Sequence, residues 1–375
     1  MGIDLLLIPQ NSSHAENFAF LTAWCQQNQL TYKVLILDKL MKQETVGYFD
    51  KSDCIVIDAA PEMSFYRMGY FERIKFLVGN REKILESVPM SKVIVAGNDG
   101  AIQRLIFNSS AGTDALKILM IDGNLTPFCS NTLKWKAKAV TLLHNGLGLL
   151  GLGYLSPSLV GHSKVDKVYV MNKHVKEVLQ KQGSKNDIDV LLPPRFYKFL
   201  SIKSLQKKHG RVKNILYGTT AYSWHRLWTF SELQKKEVYY LLNCANQFPE
   251  KQFHIRVHPR DDKSFYENLS LPANVSVGFS DVTLSDDITW ADLLWISRSS
   301  LAFEARLAGL PCIISEEYFP KPDVYDYLSN DDNITYVDDI DEYLKNIYIS
   351  FSKSVSEPTG EKAYEEFKSW FQEKA

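Results

Sequence analysis

The sequence has little sulfur, almost no net charge and no long apolar run, and each shortage excludes a class of protein. Its five cysteines (Cys25, Cys54, Cys129, Cys244, Cys312) are scattered, with no CxxC pair and no metal-like spacing. That argues against a disulfide framework or a thiolate metal site and suits a reducing compartment. Cys54 and Cys312 lie in apolar runs and read as small core residues. The formal net charge is −1, from 43 basic and 44 acidic residues. No overall basic field is present to hold nucleic acid, so no nucleic-acid partner is expected. No run is long enough to span a bilayer. The nearest, 142–159, is broken by His144-Asn145-Gly146 and further glycines; its apolar side chains are either buried or in peripheral contact with a membrane. The opening Met1-Gly-Ile-Asp is too short and acidic for a signal peptide, which points to a cytoplasmic location.

What is present is ordinary globular composition, 45% apolar and 23% charged over 375 residues, more chain than one hydrophobic core usually serves. Short β-rich apolar runs alternate with amphipathic helical stretches, the pattern of parallel sheets covered by helices. Strands are expected at 4–9, 32–37, 54–58, 92–96, 117–121, 167–171 and 189–192, with helices such as 70–87 and 173–182 between them. Pro193-Pro194 ends the pattern, and 203–213 reads as a basic connector. The rhythm then restarts, with strands at 214–217, 252–257, 275–277, 293–297 and 311–314 and helices at 231–247, 263–269 and 300–308. The expected architecture is α/β: two Rossmann-like doubly wound domains, 1–195 and 196–358, facing a ligand cleft, followed by a charged amphipathic helix at 359–375.

Three features of the second half fall at strand ends. Tyr217-Gly218-Thr219-Thr220 places backbone amides and hydroxyls where a phosphate could approach, although a plain turn explains it equally well. His258-Pro259 leaves an imidazole at the rim of the sheet, as a hydrogen-bond donor to phosphate or as a general acid, or again as a turn. Arg260 is either a phosphate clamp or a partner of Asp261-Asp262. From Ser297 to Pro311, a strand end at Ser297 is followed by Ser299 and Ser300 opening a helix, Glu304 one turn in, and Gly309-Leu310-Pro311 closing it. The serines suit a phosphate and Glu304 a ribose diol; the alternative is that Ser299 only caps the helix.

Taken in order, Gly218-Thr219-Thr220, His258-Pro259 and Ser299-Ser300…Glu304…Gly309-Leu310-Pro311 resemble the nucleotide-binding half of GT-B glycosyltransferases, nearest to bacterial CMP-sugar-dependent sialyltransferases, polysialyltransferases and Kdo-type transferases. The resemblance implies that His258 contacts the donor phosphate and that Ser299 and Ser300 bind it. It also implies a general base in an Asp-Gly motif, which here is Asp122-Gly123 with Ile121 in the place of a first acidic residue. Asp122 is the first candidate, with Gly123 and Asn124 on the acceptor side. Asp99 is the alternative base, unless the helix start after it uses its carboxylate as a cap.

The implied function is inverting, metal-independent transfer of an acidic sugar from a CMP-sugar co-substrate to a glycan or lipid-linked glycan of the bacterial surface, such as capsule or lipopolysaccharide. No cofactor is expected. Arg195, His225 and Arg226 are candidates to pair with the sugar carboxylate. Two Asp-x-Asp triplets, Asp187-Ile188-Asp189 and Asp339-Ile340-Asp341, are weak metal candidates. A UDP-sugar 2-epimerase-like isomerase, a UDP-sugar glycosyltransferase and a catalytically silent sugar-nucleotide-binding subunit are the alternatives.

Overall fold

The computed structural model describes residues 2–109, 114–123, 152–156, 160–203, 210–224, 226–279, 282–321 and 333–349, with isolated positions elsewhere. Two compact units emerge, one built on Met1–Arg195 and the other on Phe196–Glu357. The helix expected at 359–375, the cysteine Cys129, and Asn124 and His225 lie outside the described residues apart from single helical positions near the C-terminus.

Unit 1 holds β1 (Ile3–Ile8), α1 (Ser12–Gln27), β2 (Tyr32–Ile36), α2 (Asp38–Met41), β3 (Cys54–Val56), α3 (Tyr70–Glu86), β4 (Ser91–Ala96), α4 (Ala101–Phe107), β5 (Leu116–Ile121), β6 (Lys167–Val170), α5 (Lys173–Lys181) and β7 (Ile188–Val190). The strands form one sheet in the order β3-β2-β1-β4-β5-β6-β7, and each neighbouring pair is parallel. Leu5 to Ile8, Val93 to Ala96 and Ile118 to Leu119 are essentially inaccessible. Burial on both faces is why these strands read as continuous apolar runs rather than as alternations. Pro9 ends β1, and the Asn11 side chain then caps α1 by accepting the His14 backbone N–H at 2.9 Å. That cap fixes where the first turn of α1 starts, and with it the placement of His14.

Unit 2 opens with α6 (Tyr197–Lys203) and β8 (Gly210–Arg211), so the expected connector is partly structured. It continues with β9 (Asn214–Gly218), α7 (Trp228–Gln247), β10 (Gln252–Arg256), α8 (Lys263–Glu267), β11 (Val275–Gly278), α9 (Leu284–Trp290), β12 (Leu293–Ile296), α10 (Leu301–Leu307), β13 (Cys312–Ser315), β14 (Ile334–Val337), α11 (Ile340–Asn346) and β15 (Tyr348–Ile349). Six strands make a parallel sheet ordered β11-β10-β9-β12-β13-β14, and β15 pairs with β8 antiparallel. Neither β14 nor the β8–β15 pair is legible in the sequence. β14 is four residues behind an acidic, polar stretch, and two-residue strands carry no periodicity to detect.

The Asp-x-Asp triplets have structural partners. Asp187, just before β7, and Asp189, within it, both reach Lys167 at the start of the neighbouring β6, at 2.6 and 2.5 Å. Asp339 caps α11 by accepting Glu342 N–H at 2.9 Å, and Asp341 accepts from the Cys244 thiol at 3.0 Å. The four cysteines among the described residues carry free thiols. No helix among those residues is long and apolar enough to cross a membrane. In the doubtful stretch 142–159, Leu142 is 75% exposed.

The core of unit 2 contains a carboxylic acid. Glu237 of α7 is fully buried, accepting from the Tyr217 hydroxyl at 2.7 Å and the Trp295 indole N–H at 2.9 Å. Burial pushes its pKa from 4.5 up to about 8, against the two hydrogen bonds, which lower it. Folding therefore favours the protonated acid. Its contribution to stability is complete below the unfolded value of 4.5 and is lost as pH rises through about 8. Relative to the wild type, Glu237→Gln should gain stability across that window by up to about 1.4 kcal/mol per pH unit. Urea unfolding of both proteins from pH 5 to 8 checks this; parallel stability curves would contradict it.

Candidate functional site

In each sheet the strand order reverses once, between β1 and β4 in unit 1 and between β9 and β12 in unit 2. In open α/β sheets the carboxyl ends of the strands at such a reversal form the natural ligand-binding rim. Both groups of sequence candidates fall on these two rims.

In unit 1, Asp122 follows β5 directly and is 7% exposed. One carboxylate oxygen lies 3.0 Å from His14 Nε2. The other accepts from Asn17 Nδ2 at 3.0 Å and faces Arg195 Nε at 3.4 Å. Arg195 also donates through Nη2 to the Asp122 carbonyl at 3.3 Å, and its backbone N–H donates to Asn17 Oδ1 at 3.1 Å. Burial alone would raise the Asp122 carboxyl. The His14 charge and hydrogen bond, together with the Arg195 guanidinium, outweigh that and hold it below its ordinary value. An ionised Asp122 requires a proton on His14 Nε2, and in the neutral ring the lone pair then lies on Nδ1. The partner of Nδ1 is the Gln10 backbone N–H, at a long 3.4 Å. Gly97, after β4, is glycine for a steric reason: a Cβ there would overlap the His14 ring.

His14 and Asn17 went unnoticed in the sequence. The available signal was Asn11, a helix cap after a buried strand, which puts His14 and Asn17 three residues apart on one face at the start of α1. Arg195, a candidate partner for a sugar carboxylate, is instead engaged with the carboxylate of Asp122. Arg226 is exposed and has a left-handed backbone, φ 58°. Gly123 is exposed with open space beside it.

Asp99 occupies a different environment from the one the sequence suggested. The N-cap of α4 is Gly100, not Asp99. The Asp99 carboxylate is 1% exposed and accepts the backbone N–H groups of Gly161, His162 and Ser163 at 3.0, 3.1 and 2.9 Å. These bonds tie the segment before β6 to the end of β4.

In unit 2, Gly218 ends β9, and a Cβ on it would overlap Leu301 at the start of α10. Thr219 is buried and accepts the His258 backbone N–H through Oγ1 at 2.8 Å. Thr220 N–H donates to Gln234 Oε1 at 2.7 Å, and its hydroxyl lies 3.4 Å from Ser297 Oγ. Ser297 is fully buried and also receives the Tyr222 hydroxyl at 3.2 Å. His258 is half-buried after β10, next to the exposed Pro259. Its Nδ1 accepts the Arg260 backbone N–H at 3.1 Å, so the neutral ring carries its proton on Nε2, as a donor. Arg260 places its guanidinium over Trp224, 5.6 Å from the ring centre, while Asp261 turns to Gln234 and Tyr266.

Ser299 is buried and accepts the Leu301 N–H at 3.3 Å; Ser300 is the N-cap position, exposed, with no side-chain capping bond. The capping role therefore falls to Ser299, and the Ser300 hydroxyl faces solvent. Glu304 sits on the buried side of α10. Gly309, φ 71°, closes that helix with Leu310 N–H bonded to Ala305 O at 2.8 Å. No cluster of three or more His, Cys, Asp or Glu that could hold a metal occurs among the described residues.

Two Rossmann-like domains in succession, each with parallel strands and interleaved helices, define the α/β fold of GT-B proteins. A scan against protein-family models finds no match to the sequence, and neither does a search of curated proteins. Among solved structures, the chain is similar to a UDP-GlcNAc 2-epimerase from Methanocaldococcus jannaschii in complex with UDP-GlcNAc and UDP. The TM-score is 0.56 at 11% identity, over 98% of this chain and 100% of that one. It is also similar to the H444N variant of the wall teichoic acid polymerase TagF, with TM-score 0.50 at 12% identity over 99% and 83% of the two chains. The spinosyn forosaminyltransferase SpnP aligns at TM-score 0.47 and 14% identity, over 84% and 80%.

The Asp99 arrangement gives a direct test. Asp99→Asn replaces an acceptor of three N–H groups with a side chain that can orient only one oxygen toward them. Stability should fall by about 2–3 kcal/mol, within the range for hydrogen bonds to charged groups. Chemical unfolding of the variant measures this. A variant as stable as the wild type would remove Asp99 from its anchoring role.

Proposed function

We propose that the chain is a glycosyltransferase using a nucleotide-activated sugar, with unit 1 supplying the base and unit 2 the donor site. The observation that carries this reading is the His14–Asp122 pair at the strand reversal of unit 1, with Nε2 on the carboxylate and only the long Gln10 N–H contact on Nδ1. In this mechanism His14 Nδ1 removes the proton of an acceptor hydroxyl as its oxygen attacks the anomeric carbon. The bond from that carbon to the phosphate oxygen breaks on the opposite face, the nucleotide leaves with the electron pair, and the configuration inverts. Asp122 stays ionised and stabilises the imidazolium, while Asn17 and Arg195 hold the carboxylate in place. Asp122 thus remains a site residue one step back from the acceptor, and His14 takes the proton. On the donor side, His258 Nε2–H faces the leaving phosphate, with Thr220 and Ser300 hydroxyls as further donors and Glu304 assigned to the ribose.

The donor proposed is a CMP-linked acidic sugar, supported by the order of the Gly218-Thr219-Thr220, His258-Pro259 and Ser299-Ser300 segments. A UDP-sugar 2-epimerisation is the second reading, favoured by the likeness in fold to the archaeal epimerase. A thermal-shift series separates them, because a ligand bound only by the native state raises the midpoint. CMP should stabilise the protein more than UMP or UDP; equal or larger stabilisation by UDP would favour the second reading.

Turnover variants test the roles. His14→Ala and Asp122→Asn should each lower sugar transfer by about two to four orders of magnitude, the range for a general base, with CMP affinity retained. His258→Ala should raise the barrier by about 2.7–4 kcal/mol, the effect of removing one charge-stabilising donor. Transfer near the wild-type rate in His14→Ala would sink the assignment of the base.

A further inference from the structure

In the connection from β5 to β6, Trp135 and Leu142 are 76% and 75% exposed and Leu143 is 46% exposed, all three at helical positions. Ala139, also helical, is exposed as well. The numbers 135, 139, 142 and 143 follow the i, i+4, i+7, i+8 spacing of one helix face. The far end of the same connection is tied down. Tyr154 is buried, and the buried Arg104 donates to Gly153 O and to Ser156 O, each at 3.0 Å. The Tyr70 hydroxyl donates to Leu155 O at 2.6 Å. The two alternatives for the glycine-broken stretch therefore divide along it. The end around Tyr154 is held by the body of unit 1, whereas Leu142 and Leu143 are presented to solvent.

Exposed large apolar side chains grouped on one face mark a contact surface, and the charges among them select what it meets. Asp and Glu make up 44 of the 375 residues, yet none occurs between Asp122 and Asp166. The same interval contains Lys134, Lys136, Lys138 and Lys164, so four lysines against no acid give it a net charge of +4. Lys134 and Lys136 flank Trp135 directly. A second copy of the chain is a poor occupant, because a two-fold interface would set this positive stretch against itself. An anionic bilayer is complementary in both respects. Its headgroups attract each lysine near the surface, a Trp ring settles at the level of the headgroups, and leucines enter the boundary of the acyl chains. No helix among the described residues is long and apolar enough to cross a membrane, so such a contact is peripheral.

We propose that the face carrying Trp135, Leu142 and Leu143, with the lysines beside Trp135, docks on an anionic lipid bilayer. The docking depends on neither nucleotide nor the glycosyltransferase reading, and its test uses neither. The full chain is sedimented with large vesicles of phosphatidylcholine alone and of phosphatidylcholine mixed with phosphatidylglycerol. Binding to the mixed vesicles is expected, with binding to the neutral ones about tenfold weaker or less. Raising the salt from about 0.1 M to about 1 M should weaken the first. Lys134→Gln, Lys136→Gln and Lys138→Gln together should reduce affinity for the mixed vesicles about a hundredfold. Trp135→Ser with Leu142→Ser should reduce it about tenfold or more. Both side chains are three-quarters exposed, so urea unfolding of the serine variant should match the wild type, which separates lost docking from lost folding. Failure to sediment with the mixed vesicles, equal binding to both kinds, or wild-type affinity in either variant would overturn the proposal. So would a lipid-free chain that is a dimer and becomes a monomer in the serine variant, because a second copy would then cover the face.

Discussion

The proposed chemistry depends on one buried carboxylate. Asp122 can remain ionised in a nearly inaccessible place because both of its oxygens have partners: His14 Nε2 on one, Asn17 Nδ2 on the other, with the positive Arg195 guanidinium 3.4 Å from the second. Removing a charge from water is expensive unless it is paired and hydrogen-bonded. The surrounding backbone is arranged to supply those partners. Asn11 starts α1 where His14 and Asn17 can both reach the rim, and the bare Cα of Gly97 leaves room for the imidazole. The Arg195 backbone N–H, bonded to Asn17, ties the end of unit 1 back to its first helix. The charge of Asp122 and the tautomer of the neutral His14 ring are thus one constraint, and the basic atom of that ring is a consequence of it.

Unit 2 treats its polar groups differently. Its core carboxylic acid, Glu237, has two neutral donors and no cation among its recorded partners, so burial wins and the acid favours its proton. At the rim, Thr219, Ser297 and Gln234 are occupied with one another and with the backbone, and they hold the ends of β9, β10 and β12 in register. That leaves the proposed donor contacts to the residues at the surface of this network, His258, Thr220 and Ser300. A rigid polar layer beneath a few oriented donors is suited to stabilising charge that develops on a leaving group, because little reorganisation is needed at the moment of reaction.

The sheets were legible in the sequence because buried parallel strands are written as short apolar runs bounded by polar turns. All seven strands of unit 1 and five of the six in the unit 2 sheet could be read that way. The order of strands, and hence the two reversals, could not, since pairing is a long-range property. Asp122 was legible because it follows a strand directly and precedes a glycine. His14 was not, because a lone histidine in a polar stretch looks like any surface residue until β1 and β5 bring the start of α1 against Asp122. Asp99 showed the reverse problem. Its position before Gly100 looked like a helix cap, yet its partners are amides 62 to 64 residues away. Ser299 and Ser300 both stand at the helix start in the sequence, with Ser299 the alternative cap; the fold gives Ser299 that place and exposes Ser300.

The central claim is that Asp122 fixes His14 with its proton on Nε2 and a basic Nδ1. Nitrogen-15 NMR of histidine-labelled protein at pH 7.5, with the His14 signals assigned by their loss in His14→Gln, reads this tautomer directly. The account predicts one protonated nitrogen, Nε2, and one bare nitrogen, Nδ1, with that order disturbed in Asp122→Asn. A bare Nε2, or a His14 ring protonated on both nitrogens at that pH, would contradict it.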